Sequence, residues 1–251
     1  EGHVFAKSLL KEGWKITVSV VSDRASIPYE KLNLEKILIG ALITKEEIRE
    51  VILNARINQN GFNCVVDLTH PFAINITGAI SEVCKEIGQP FIRYERSIDN
   101  ISNAFLIEKF SDLENYDLNN KSILLALGVR HLQEAITFSR NSGATVYARI
   151  LANPESIKKT LSSSIAKTNF AVLNPSVARN GRIEKALVRK WNIDGVICRQ
   201  SGGRNEILWH RICLSMNIKL WLLERPREFQ DVNSIDSYEE LIKRLKSINM
   251  E

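Results

Sequence analysis

The sequence predicts an α/β protein with mostly parallel sheets, divided into two similar domains with a cleft between them. Three observations carry this expectation. Short β-branched runs alternate with helical patterns along nearly the whole chain, the order of parallel strands joined by crossover helices. One strand–helix–strand unit is complete between residues 63 and 95. A polar stretch, SDLENYDLNNK at 111–121, separates a first series of strands from a second, which places the domains at 1–115 and 116–251.

The first series comprises ITVSVV (16–21), KILIG (36–40), NCVVDL (63–68) and PFIRYE (90–95). Thr44 and Glu47 have capping-box spacing ahead of a helix that sets Ile48, Val51, Ile52 and Ala55 on one face. The next helix, after His70 and Pro71, repeats Ile76, Ala79, Ile80, Val83, Cys84 and Ile87 at helical spacing and stops at Gly88. In the second series, SILLALG (122–128), ATVYARIL (144–151), GVIC (195–198) and IKLWLLE (218–224) are strands. A helix over about 204–216 shares a face among Trp209, Ile212, Cys213 and Met216, and Ser237 with Glu240 caps a terminal helix.

The chain opens on an amphipathic helix at 1–12 and does not start with Met. A doubly wound domain begins with a strand and a glycine-rich turn. The expectation is therefore that about ten residues precede Glu1, and that without them the N-terminal sheet lacks a central strand.

Composition removes several classes. Of 251 residues 44% are apolar and 25% charged, the profile of a globular protein. No apolar run approaches the roughly 18–20 residues that span a bilayer, and the first residues lack the apolar core of a signal peptide. A cytoplasmic protein without a membrane partner is expected. Cys64, Cys84, Cys198 and Cys213 have no CxxC spacing and lie mostly in apolar runs, as reduced core residues do. No metal site is expected, because His3, His70, His131 and His210 are scattered. Neither GxSxG nor a Walker sequence occurs.

Three segments carry candidate chemistry. Asp67-Leu68-Thr69-His70-Pro71-Phe72-Ala73 lies where a strand hands over to a helix, the end of an open α/β sheet at which ligands bind. Pro71 suits a first helical turn and forces His70 into an extended conformation, so His70 would project beside free backbone N–H groups. A plainer alternative makes Thr69 a helix cap and His70 a turn residue. Arg93 and Arg96 straddle the end of the next strand, where guanidinium groups hold carboxylates bidentately; salt bridges to Glu95 or Asp67 are the alternative. Ser201-Gly202-Gly203-Arg204 follows a strand and opens a helix, a setting in which backbone N–H groups form a nest for phosphate. Glycine pairs also occur in such turns for steric reasons alone.

VVDLTHPFA (65–73), FIRYER (91–96), ALG (126–128), YARIL (147–151), RQSGGRNE (199–206) and LLERP (222–226) together resemble the precorrin-6A reductase family of cobalamin biosynthesis, in the family's order. The resemblance implies two incomplete Rossmann-like domains and NADPH or NADH as hydride donor for one double bond of a tetrapyrrole macrocycle. It implies substrate contacts for Thr69, His70, Pro71, Arg93, Arg96 and Arg149, with His70 a candidate proton donor. Gly128, Arg199, Ser201, Gly202, Gly203 and Arg204 fall to the cofactor. The family often carries Lys where Arg199 and Trp209 stand here, which leaves the choice between NADPH and NADH open, and Arg204 is a candidate for a 2′-phosphate. Another nucleotide-dependent α/β enzyme, such as a transferase, and a basic binding module are the alternative classes. Oligomeric state is not legible, and a monomer is compatible with the sequence.

The net charge of +5 first invites nucleic acid. It is, however, accounted for by residues 179–211, where Arg179, Arg182, Lys185, Arg189, Lys190, Arg199, Arg204 and Arg211 outnumber Glu184, Asp194 and Glu206. The excess is expected to serve a dinucleotide phosphate and a polycarboxylate ring, with no nucleic-acid partner.

Overall fold

The computed structural model describes residues 1–58, 60–98, 104–173, 181–226 and 234–248. They belong to two compact units, Glu1–Ser97 with Pro226–Glu251, and Ile98–Arg225.

The first unit begins with helix α1 (Gly2–Lys11), strand β1 (Thr17–Val20), the short helix α2 (Asp23–Ser26) and strand β2 (Lys36–Ile39). Helix α3 (Lys45–Asn58), strand β3 (Val65–Asp67), helix α4 (Ile74–Glu86) and strand β4 (Phe91–Tyr94) follow. The capping box ahead of α3 forms as expected. Glu47 N–H donates to Thr44 Oγ1 at 3.2 Å, and Thr44 N–H donates to Glu47 Oε2 at 3.0 Å, which satisfies two end groups that a helix leaves open. The apolar stripe of α3 buries Ile48 and Ile52 against Val83 and Cys84 of α4.

The second unit contains β5 (Phe105–Ile107), β6 (Ser122–Leu125), α5 (Leu132–Asn141), β7 (Thr145–Leu151), α6 (Pro154–Leu161) and β8 (Phe170–Leu173). It continues with α7 (Arg182–Lys190), β9 (Gly195–Arg199), α8 (Arg204–Met216) and β10 (Lys219–Leu223). Its six strands are all parallel, in the order β5-β10-β9-β6-β7-β8. The chain leaves β6 toward β7 and β8 on one side, while β9 and β10 lie on the other. β6 and β9 are therefore the neighbours at which the winding reverses, and the crevice at their carboxyl ends is where open α/β sheets take ligands. Trp209, Ile212 and Cys213 of α8 pack with Val188 of α7 on Leu124, Val196 and Leu220 of the sheet. At about 1.5–3 kcal/mol for each fully buried large apolar side chain, this layer fixes the frame that carries the strand ends.

The chain then returns to the first unit as β11 (Ser234–Ile235) and α9 (Tyr238–Ile248). β11 pairs in parallel with β4, giving the order β11-β4-β3 beside a separate β1-β2 pair. Ile235, Leu241 and Leu245 close a core with Phe5, Leu9 and Ile92.

Two expectations are corrected. The domain boundary falls at 97/98 and not at 115/116, because β5 hydrogen-bonds to β10 and the polar stretch at 111–121 belongs to the second unit, where Leu113 and Leu118 are buried. The last 26 residues belong to the first unit and not to the second. No helix among the described residues is long and apolar enough to cross a membrane.

Candidate functional site

In the first unit the chemistry gathers at the carboxyl ends of β3 and β4. Asp67 is 2% exposed and anchors a closed network. Its Oδ1 accepts the Thr69 N–H at 2.8 Å; its Oδ2 accepts the Thr77 hydroxyl at 2.7 Å and faces Arg93 Nη1 at 2.8 Å. Arg93 Nη1 also donates to Thr69 Oγ1 at 2.9 Å. Parallel pairing sets Asp67 opposite Arg93, and Thr77 comes from the buried face of α4. Burying a carboxylate is costly unless it is paired and hydrogen-bonded, and this one is both.

Arg93, expected at a substrate carboxylate, is thus spent on Asp67 and Thr69, the salt-bridge alternative. Thr69 holds this network and caps no helix. Pro71 does not open one either, because α4 starts at Ile74. Residues 70–73 instead form a turn in which Ala73 N–H donates to the His70 carbonyl at 2.7 Å. Phe72 N–H donates to His70 Nδ1 at 3.2 Å, so an N–H expected to be free holds the imidazole. With Nδ1 accepting, the neutral ring carries its proton on Nε2. Arg96 Nη2 donates to Glu1 Oε2. Burial opposes ionisation of Glu1, but the hydrogen bond and charge of Arg96 outweigh it and hold the carboxyl below its ordinary range.

In the second unit the crevice between β6 and β9 collects most of the expected cofactor residues. Gly128 has a φ of +79°, and the Arg199 guanidinium lies 4.0 Å from where a Cβ would stand. Behind the turn, His131 is the N-cap of α5 without a side-chain capping bond. Its imidazole is depressed by burial and by the charges of Arg199 and Arg130. Arg130 and His131 were not singled out from sequence as site residues. The glycine turn followed by a helix was the available signal.

The Ser201–Gly203 turn holds a side chain of the protein itself. The Ser201 and Gly202 N–H groups donate to Glu206 Oε2 at 2.5 and 2.7 Å, and Gly203 N–H faces Ser201 Oγ at 3.4 Å. A carboxylate from the first turns of α8, itself 3% exposed, fills the place expected for phosphate. Arg204 stands exposed at the first position of α8, and Trp209 is wholly buried.

Arg149, the third arginine expected at substrate, is 8% exposed on β7 and faces Glu184 of α7 across 3.9 Å. Burial pulls its pKa below the ordinary range, against the pull of Glu184. Of the basic residues at 179–211, Arg182, Arg189 and Lys190 are exposed on α7, and Arg211 on α8. Arg179 lies outside the described residues. Two of the three acids in that segment, Glu184 and Glu206, are buried.

A doubly wound parallel unit with a glycine turn at its winding reversal, and a companion unit presenting histidine and arginine at strand ends, define an α/β protein of Rossmann-like architecture. The chain belongs to the precorrin-6x reductase CbiJ/CobK family, whose model matches residues 1–246. It is 26% identical over 235 residues to the cobalt-precorrin-6A reductase of Synechocystis sp., covering 90% of this chain and 85% of the relative. It is 26% identical over 238 residues to the precorrin-6A reductase of Mycobacterium tuberculosis, covering 94% and 90%. The solved structure of a CobK precorrin-6A reductase superposes with a TM-score of 0.75 at 17% identity, over 99% of this chain and 93% of that one, which shows the shared fold. The chain is accordingly an oxidoreductase of the type that acts on a CH–CH group and draws on a nicotinamide cofactor.

Proposed function

We propose that this protein reduces one double bond of the precorrin-6A macrocycle, in its metal-free or cobalt-bearing form, with NADH or NADPH as the donor. The observation that carries the reading is the family match over residues 1–246. The residue chemistry supports it. The cofactor supplies a hydride to one ring carbon, and a proton must reach the neighbouring carbon. No covalent nucleophile is required, and the protein's part is positioning.

On the macrocycle side, His70 and Arg96 are the groups we assign to substrate. His70 is held by the Phe72 N–H with Nε2–H as its donor, and Arg96 exchanges Glu1 for a ring carboxylate. Pro71 shapes the turn that carries His70. Arg93, Thr69 and Asp67 hold that turn in place. A dinucleotide fits the second unit, where the positive φ of Gly128 lets backbone approach a phosphate and Arg199 lies beside it.

Anaerobic incubation with precorrin-6A or its cobalt form, each with NADH or NADPH, tests the reading by mass and absorbance. A gain of two hydrogens in one macrocycle with matching oxidation of one dinucleotide is expected. Dinucleotide left unoxidised with either macrocycle would overturn it.

A further inference from the structure

We propose that the phosphate seat of the second unit is the Gly128–His131 turn, with Arg130, His131 and Arg199 as its ligands for a pyrophosphate group. The proposal rests on the dinucleotide reading above and assigns the atoms that hold the dinucleotide's charge.

Four independent observations converge on this turn. First, β6 and β9 are the strands at which the winding reverses, and the turn leaves the carboxyl end of β6. Second, Gly128 at φ +79° brings the chain into α5 with no Cβ over the crevice, and the Arg199 guanidinium lies 4.0 Å from the place a Cβ would take. Third, three cationic or protonatable groups converge. Arg199 is held below its ordinary range first by burial and then by repulsion from Arg130, and both arginines act on the His131 imidazole. An anion among them relieves that repulsion. Fourth, the competing seat is closed, because the Glu206 carboxylate takes the Ser201 and Gly202 N–H groups at 2.5 and 2.7 Å. A pyrophosphate there would meet a buried negative charge in place of two donors.

The groups acting on His131 are Arg199 from β9, Arg130 from its own turn and Glu134 from α5, while the 3-10 helix at Phe110–Asn115 contributes the uncharged ring of Phe110, 6.0 Å away between centroids. A bound anion therefore raises the imidazole pKa against its two arginine neighbours, and binding takes up a proton where His131 titrates.

The test is calorimetric titration of the whole chain with inorganic pyrophosphate, and fluorescence titration with NADH and NADPH, for wild type, Arg130→Gln, His131→Gln and Arg204→Gln. Arg130 and Arg204 are both exposed, so neither substitution threatens the fold. Arg130→Gln should weaken all three ligands about 10- to 100-fold, the range of one charge-assisted hydrogen bond, and Arg204→Gln less than about threefold. His131 should also show a higher imidazole pKa by NMR when pyrophosphate is added. An Arg204→Gln loss that exceeds the Arg130→Gln loss would overturn the seat, as would an unmoved His131. A loss confined to NADPH would place Arg130 at the ribose and overturn it too. Pyrophosphate binding without either dinucleotide would keep the seat and overturn the reductase reading; dinucleotide binding indifferent to Arg130 and His131 would do the reverse.

Discussion

Asp67→Ala isolates the most consequential contact in the first unit. The substitution removes a carboxylate with no side-chain exposure and leaves the Arg93 guanidinium, 4% exposed, without its partner at 2.8 Å. It also strips acceptors from the Thr69 N–H and the Thr77 hydroxyl. Breaking one side of a buried ion pair costs about 3–5 kcal/mol, a large part of the roughly 5–15 kcal/mol that holds a typical native protein together. Removing both charges costs less, because no orphan remains. Asp67→Ala/Arg93→Met should therefore be more stable than Asp67→Ala alone, even though it carries one more change. Amide hydrogen exchange read on peptides covering 61–72 and 91–96 localises the effect. Where those amides exchange through opening of the unit, Asp67→Ala should speed them by two to three and a half powers of ten. The double variant should recover at least one power of ten. An Asp67→Ala effect below tenfold, or a double variant as fast as the single, would refute the assignment of Arg93 to the scaffold and return it to the substrate.

Two further outcomes follow from other buried groups. Glu184→Gln should destabilise the second unit by about 1–3 kcal/mol in urea unfolding, because it leaves Arg149 buried without a countercharge, whereas Glu184→Leu/Arg149→Met should be close to neutral; the present pair is 3.9 Å apart, and neither Glu184 oxygen nor Arg149 Nε has a hydrogen bond. Burial raises the Cys64 and Cys213 thiols from 9.0 to about 12, Cys84 to about 11, and Cys198 well above its ordinary value. The neutral thiol is the folded form, so this contribution is complete below pH 9 and is lost as the pH rises toward 11–12. The urea midpoint should fall above pH 9 in wild type and fall less in Cys198→Ala/Cys213→Ala; equal slopes would refute it.

Much of this was legible in the amino-acid order because the relevant signals are local. Apolar runs bounded by glycine mark β6 and β9, and Thr44 with Glu47 marks α3. What the sequence hid depends on pairing across the sheet. Arg93 reads as a ligand for carboxylate until β3 and β4 align and set it opposite Asp67. Ser234–Ile235 is too short to show a strand period, and only the edge of β4 gives it partners. The polar letters at 111–121 read as a linker, although their few apolar residues, Leu113 and Leu118, are wholly turned inward. Glu206 stood four and five residues beyond the turn it fills. A carboxylate one helical turn after a glycine nest is a local competitor for those N–H groups, and it was in view from the start.

The return of β11 and α9 to the first unit makes the order of synthesis matter. Residues 1–97 emerge with the Phe5–Leu9–Ile92 surface bare and one edge of β4 unpaired, and both wait for residues beyond 233. At roughly 5–20 residues per second, translating Ile98–Arg225 alone takes about 6–25 s. The first unit is completed only after the whole second unit has been translated, so a chain cut short at Arg225 leaves the first with an open sheet edge, a ready substrate for chaperones and proteases.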